Sequence, residues 1–392
     1  MTAPDQSQNQ DQNQDFSTFG LMPPLLSALD KAGHKRPSAI QARAIPLILE
    51  GRDVLAIAQT GSGKTASYAL PLLQRLATLP PSERIPGAPM ALVLAPTREL
   101  ASQIAGVFRQ LGRTMTLRTR VACGGLPKDA QIAAMAEGVD ILVATSGRLL
   151  ELFDNGHVTF DKLRFFVLDE ADRMLEGDFL IDMERMEPLL PTIRQTILCS
   201  ATQPPGLQPL AQRLLHKPVL IEIEAQTVTP RRIRQRAMFV EADQKPALIA
   251  AALRHQPGRA IVFARTKADV EKLAATLRRM KIAVETLHGD RTQGQRNRAL
   301  EAFRAGKISA LIATDIAARG LDIGDILLVI NATLPEQADT YVHRIGRTGR
   351  AGKRGDSLTL CDATERKMLR LIEKQIGHRM TIISPEQIAG IS

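Results

Sequence analysis

Short apolar runs recur along the chain, and the stretches between them carry apolar residues at helical spacing. Val54–Ile57, Ala91–Ala95, Asp140–Ala144, Phe165–Leu168 and Thr196–Cys199 read as buried strands. Glu99–Leu111 reads as one of the amphipathic helices between them. Such alternation implies parallel strands joined by crossover helices. Ala225–Arg232, with β-branched, proline and charged residues, breaks the pattern and reads as a linker. A second series follows: Ala237–Val240, Ala260–Ala264, Val284–Leu287, Ala310–Ala313 and Ile326–Ile330. The expected fold is therefore α/β, with two tandem parallel-sheet lobes of similar plan at 16–224 and 233–380, joined by a short linker at 225–232. Residues 1–15 repeat Gln and Asn and contain no Lys or Arg, and read as a disordered tail. Residues 381–392 read as a second, short tail. Pro71 predicts a kink or an early end in the helix that begins near Ala66.

The 392 residues are 44% hydrophobic and 23% charged, enough apolar mass for two cores. Aromatic residues make up only 3% and Trp is absent, so the cores are expected to be aliphatic. A net charge of +10 favours an anionic partner, and nucleic acid fits best. Cys123, Cys199 and Cys361 are far apart, odd in number and without a CxxC pair. They read as buried thiols in a reducing compartment, not as a disulfide frame or zinc site. No signal peptide or bilayer-length apolar run is visible, so a cytoplasmic protein without a membrane partner is expected.

The most specific chemistry follows the first strand. Ala58-Gln59-Thr60-Gly61-Ser62-Gly63-Lys64-Thr65 sits between an apolar run and a helix start, the context that a phosphate-binding loop requires. Glycines let successive N–H groups converge on one anion, and the helix N-terminus adds partial positive charge. Lys64 can reach β- and γ-phosphates, and the Thr65 hydroxyl can ligate Mg²⁺. The second lobe lacks a Gly-Lys-Thr loop, so one nucleotide between the lobes is expected instead of two independent sites. Phe165-Phe166-Val167-Leu168 ends in Asp169-Glu170-Ala171-Asp172, an acidic cluster where open α/β sheets bind ligands. There Asp169 can hold Mg²⁺ through water, and Glu170 can orient and deprotonate the attacking water. A solvated acidic turn is the plain alternative, which the phosphate loop upstream disfavours.

With these two motifs in order, the chain resembles the DEAD-box RNA helicases, and the resemblance runs from about Phe16 to Met380. Gly33–Gln41 resembles the adenine-reading Q motif and includes Lys35; Phe19 stands where the family stacks an aromatic on adenine. Pro96-Thr97-Arg98, Gly124-Gly125 and Thr145-Ser146-Gly147-Arg148 resemble RNA-contacting segments. Ser200-Ala201-Thr202 resembles the segment that links hydrolysis to unwinding. In the second lobe Ile261–Thr266, His288-Gly289-Asp290, Ala313–Ile323 and His343–Arg350 complete the series. There the resemblance implies RNA contacts for Arg265, Gly289 and Thr314 and a nucleotide contact for Gly320 and Asp322. It also implies RecA-like lobes, ATP and Mg²⁺ as cofactors, RNA as partner and action as a monomer. Two positions depart from the pattern. His34 replaces a usual Phe or Tyr, which implies weaker adenine discrimination. Ser146 replaces a usual Pro, which implies a less rigid loop.

Some roles stay open between two readings. The Gln41 amide can donate to and accept from one base edge, or be a surface amide on a helix. Arg347 and Arg350 can be arginine fingers, worth roughly 10³–10⁵ in rate, or part of a basic patch on RNA phosphates. The resemblance favours fingers, with His343 and Arg344 joining the site internally. Asp322 can touch the ribose or cap a turn. The paucity of aromatics argues against base stacking, so sequence-independent contacts to the sugar–phosphate strand are expected. The expected function is ATP-driven, local, non-processive RNA unwinding or remodelling by a compact bacterial member of the family. An ATP-gated RNA clamp and a DNA translocase are the other readings. Ribosomal or RNA-decay partners are expected.

Overall fold

The structure is a computed structural model that describes residues 15–59, 61–80, 84–175, 178–223, 233–255, 259–315, 326–349 and 354–390. Thr60, Gly320, Asp322, Arg350, the linker at 225–232 and nearly all of the front tail lie outside the described residues. The chain divides between Ala225 and Gln226 into two compact units.

In the first unit β1 (Val54–Ile57), β2 (Ala91–Leu94), β3 (Thr119–Ala122), β4 (Ile141–Ala144), β5 (Phe165–Leu168), β6 (Gln195–Ser200) and β7 (Val219–Glu222) form one sheet. Its order is β3-β4-β2-β5-β6-β1-β7, and every pairing is parallel. The helices are α1 (Pro23–Lys31), α2 (Ala39–Leu49), α3 (Lys64–Ala77), α4 (Arg98–Leu111), α5 (Lys128–Glu137), α6 (Ser146–Asp154), α7 (Asp178–Met186) and α8 (Leu207–Leu214). Alternate residues of one strand feed opposite cores. Val54 and Ala56 join one cluster, and Leu55 and Ile57 the other. Burial on both faces explains why these strands read as unbroken apolar runs.

The second unit repeats the plan. It contains β8 (Ile233–Phe239), β9 (Arg259–Phe263), β10 (Val284–Leu287), β11 (Ala310–Ala313), β12 (Ile326–Asn331), β13 (Gly355–Cys361) and β14 (Thr381–Ile382). The order β10-β11-β9-β12-β13-β8-β14 is that of the first sheet with each strand replaced by its counterpart. The helices are α9 (Lys245–His255), α10 (Lys267–Arg279), α11 (Gln293–Arg304), α12 (Ala338–Ile345) and α13 (Arg366–Ile376).

Two expectations are corrected. The helix after the phosphate loop does not end at Pro71; α3 continues to Ala77 with Pro71 buried inside it. The buried face formed by Tyr68, Leu72, Leu73 and Leu76 outweighs the hydrogen bond that proline cannot donate. Nor is the segment after Met380 only a tail. Thr381–Ile382 pairs with β8, and Ile388 is 2% exposed within the core.

Candidate functional site

The C-terminal ends of the adjacent strands β5, β6 and β1 bring together three of the motifs read from the sequence. At the end of β1 the Ala58 N–H donates to the Ser200 carbonyl of β6 at 3.0 Å, which ties the loop to the sheet. Gly61 and Gly63 have φ of 84° and 97°, the left-handed region that side chains resist. Gly63 is constrained twice, since a Cβ there would lie 2.5 Å from the Gln41 amide nitrogen. That nitrogen donates to the Gly63 carbonyl at 3.2 Å, while Gln41 Oε1 accepts from the Ser38 N–H at 2.9 Å. Gln41 is therefore no surface amide; it is 5% exposed and braces the loop against the start of α2. Lys64 opens α3, is 7% exposed, and donates to the Ala58 and Gln59 carbonyls.

On β5 the acid pair stands beside this loop. Asp169 is 3% exposed and accepts from the Glu170 N–H on Oδ1 at 3.0 Å. On Oδ2 it accepts from the Tyr68 hydroxyl at 2.7 Å. Burial pushes its carboxyl up, and the charge of Lys64 and the Tyr68 hydrogen bond counter that push. Burial, then the charge of Asp169, pushes the Tyr68 phenol well above its usual range, and the Cys199 thiol likewise. Glu170 is 5% exposed, pairs with Arg173, and holds φ at 57°. A non-glycine residue in that region carries strain of about 1–2 kcal/mol, and such strain gathers at functional sites. At the end of β6 the Ser200 hydroxyl donates to the Thr202 carbonyl at 2.6 Å. The Thr202 hydroxyl and N–H both donate to Asp172 Oδ2, at 2.8 and 3.1 Å. Ser200-Ala201-Thr202 is thus joined directly to the acidic turn.

The donor set suits a triphosphate with magnesium. The Ser62 hydroxyl is buried without a hydrogen-bond partner, Lys64 supplies an ammonium, and glycines leave the loop backbone open. Thr65 and Asp169 offer one hydroxyl and one carboxylate, the sparse protein ligation that Mg²⁺ accepts when phosphate and water complete its shell. Among the described residues no group of three or more His, Cys, Asp or Glu could hold a metal ion, so no richer cage competes.

The other half of the same sheet edge, β3-β4-β2, carries the segments expected to touch RNA. Thr97 caps α4, its hydroxyl accepting from the Leu100 N–H at 3.3 Å, and Pro96 precedes it. The Arg98 guanidinium lies over Gly124-Gly125, and a Cβ on Gly125 would stand 2.0 Å from it. Arg148 donates to the Leu126 carbonyl at 3.4 Å and pairs with Glu151. Both arginines act on Cys123, countering the burial that raises its thiol. Thr145 is the N-cap of α6. The loop is not loosened at Ser146. Its hydroxyl donates to Asp182 Oδ2 at 2.5 Å and anchors α6 to α7. Phe19 is half-buried edge-to-face on Phe16, with centroids 6.2 Å apart. His34 and Lys35 are exposed.

In the second unit Arg265 is half-exposed at 3.7 Å from Glu365, and Gly289 packs on Lys267, which pairs with Asp290. His288 is 5% exposed and meets Glu271 at 2.6 Å. The Thr314 N–H donates to the Leu287 carbonyl at 3.2 Å. These groups lie at the ends of β9, β10 and β11, the counterparts of β2, β3 and β4. Arg344 is 2% exposed, grips Asp315 at 2.6 and 2.7 Å, and stacks on Phe263. It is an internal strut, as expected. His343 is half-buried, and Arg347 is 5% exposed and engaged with its surroundings. Sequence reasoning missed the roles of Tyr68, Asp172 and Asp182. Tyr68 alone left a local signal, since it lies one helical turn after Lys64 on the same helix face.

Comparison with known proteins agrees with this geometry. Residues 38–210 match the DEAD/DEAH box helicase family, and residues 244–352 match the helicase conserved C-terminal domain. The chain is 38% identical over 366 residues to the ATP-dependent RNA helicase CshA of Listeria monocytogenes, covering 93% of this chain and 69% of the relative. It is also 38% identical over 375 residues to the ATP-dependent rRNA helicase rrp3 of Schizosaccharomyces pombe, covering 95% and 79%. Among solved structures, S. cerevisiae Dbp5 bound to RNA and ADP BeF3 aligns at a TM-score of 0.84 and 31% identity, over 96% of this chain and 97% of that one. A phosphate loop, an acid pair and a Ser-Ala-Thr segment on three neighbouring strands, followed by a second unit of the same topology, therefore place this chain in the DEAD-box family of ATP-dependent RNA helicases.

Proposed function

We propose that this RNA-dependent ATPase separates short RNA duplexes locally, gripping the sugar–phosphate strand while it hydrolyses ATP. The observation that carries the reading is the layout of one sheet edge. Lys64, Asp169, Glu170 and Thr202 occupy β1-β5-β6, and Thr97, Arg98, Gly125, Thr145 and Arg148 occupy the neighbouring β2-β3-β4. Lys64 and the loop N–H groups hold the triphosphate, Thr65 and Asp169 hold Mg²⁺, and Gln41 with Phe19 faces adenine. Bound there, Mg²⁺ neutralises phosphate charge. Glu170 takes the proton from water, with Arg173 holding its carboxylate. Arg347 and Arg350 supply cationic charge from the second unit, and Asp322 and Gly320 meet the ribose. Arg265, Gly289 and Thr314 extend the RNA path.

ATPase rate measured with RNA, with DNA and without nucleic acid tests the reading. Stimulation by RNA alone is expected, and equal rates in all three overturn it. Glu170→Gln should keep ATP and RNA binding and lose turnover. Strand displacement on a short duplex tells unwinding from clamping. Cytoplasmic residence, action as a monomer, and ribosomal or decay-pathway RNA as substrate belong to the same proposal. So does membership of a compact bacterial branch. Bacterial and fungal relatives match at the same 38% identity, so that placement rests on the sequence resemblance alone.

A further inference from the structure

Tyr68 is a polar side chain where the surrounding wall asks for an apolar one. It is 0% exposed, sits in the aliphatic core beneath α3 and leans on Phe108 with ring centroids 6.1 Å apart. Burying a hydroxyl there is unfavourable unless the group is used. It is used, since the phenol donates to Asp169 Oδ2 at 2.7 Å. The opposite carboxylate oxygen, Oδ1, is taken by the Glu170 N–H at 3.0 Å. Asp169 is thereby held from two sides, by the helix behind the phosphate loop and by the turn that follows its own strand. A carboxylate pinned at both oxygens keeps one orientation. Without the phenol, its free oxygen would be drawn toward Lys64, whose charge already acts on it.

We propose that Tyr68 is a positioning residue for magnesium, orienting the Asp169 carboxylate that would hold the metal. The inference rests on the reading of Thr65 and Asp169 as the metal ligands. Partners behind a ligand typically change metal affinity by about 10–100-fold when removed. The test uses the full chain and ADP binding, followed by calorimetry or a fluorescent ADP, with and without Mg²⁺. In Tyr68→Phe the half-saturating Mg²⁺ concentration should rise about tenfold, while metal-free ADP affinity stays within about twofold of the parent. In an Asp169→Asn background Tyr68→Phe should add nothing, because the two act as one unit. An unchanged Mg²⁺ requirement in Tyr68→Phe, alongside a lost one in Asp169→Asn, overturns the positioning role and leaves the ligand reading standing. Parental Mg²⁺ dependence in Asp169→Asn removes the ligand reading and the inference with it. A fall in metal-free ADP binding equal to the Mg²⁺ effect makes Tyr68 a packing residue and overturns the proposal.

Discussion

At the residue scale, two glycines show how backbone and side chain share one constraint. Gly63 combines φ of 97° with a Gln41 amide 2.5 Å from where its Cβ would stand. Gly63→Ala is expected to cost about 1–3 kcal/mol of stability and to abolish ADP binding, as thermal melting and titration would show. Gly125, with φ of 76°, meets only the Arg98 guanidinium, which can swing aside. Gly125→Ala should therefore spare ADP binding and weaken RNA binding severalfold, as filter binding or anisotropy would show; a variant with parental RNA affinity removes Arg98 from the RNA surface. The phosphate loop, the acid pair and Ser200-Ala201-Thr202 were legible in the sequence because each is contiguous and follows an apolar run. Contacts such as Tyr68–Asp169, Thr202–Asp172 and Ser146–Asp182 were not, since their members stand 101, 30 and 36 positions apart.

At the scale of elements, legibility followed burial. Most strands found from the sequence are four-residue or longer runs buried on both faces, such as β1, β2, β4 and β5, although β10, also found, is a partly buried edge strand. Those overlooked carry polar residues inside the sheet or lie at its margin. β13 holds Asp356, Ser357 and Thr359 at 6%, 1% and 0% exposure. There Asp356 pairs with Arg234 and Arg236 of β8 and Thr359 accepts from Asn331 of β12, while the Ser357 hydroxyl is buried without a hydrogen-bond partner. β3 and β14 are edge strands of their sheets, and β3 is only partly buried. The contact between the acidic turn and the end of β6 makes a prediction at this scale. Thr202→Val keeps the side-chain shape and removes the hydroxyl donor to Asp172, at about 1 kcal/mol in chemical denaturation. If Ser200-Ala201-Thr202 relays hydrolysis, the same variant should keep RNA-stimulated ATPase activity and lose strand displacement. Parallel loss of both activities would place Thr202 in the hydrolytic step itself.

For the whole molecule, the repeated sheet order makes the two units comparable position by position. Lys245 opens α9 after β8 as Lys64 opens α3 after β1. Where Lys64 bonds to loop carbonyls, Lys245 is fixed by Asp362 at 3.0 Å and Glu365 at 2.7 Å. A cation so neutralised has nothing to offer a phosphate, which agrees with the expectation of a nucleotide site on the first unit only. Lys245→Met leaves Glu365, at 5% exposure, without that cation and should destabilise the second unit by about 3–5 kcal/mol. ADP binding by the first unit should be unaffected. Burial opposes ionisation of Asp362, but hydrogen bonds from Thr364 and Lys245 prevail and hold its carboxyl at about 2, below the ordinary 3.8. A depressed carboxylate stabilises the fold above its unfolded value, and that contribution fades as pH falls toward about 2. Unfolding free energy compared at about pH 5 and about pH 2.5 should drop less in Lys245→Met than in the parent. A last consequence concerns the pairing of β2 with β5, where the Asp169 N–H donates to the Leu94 carbonyl at 3.0 Å. The strand that leads to Thr97 and Arg98 and the strand that leads to Asp169 and Glu170 are laced edge to edge. Under the proposed roles, the segment assigned to RNA lies one backbone rung from Asp169, so coupling of RNA binding to hydrolysis would need no long relay through this unit.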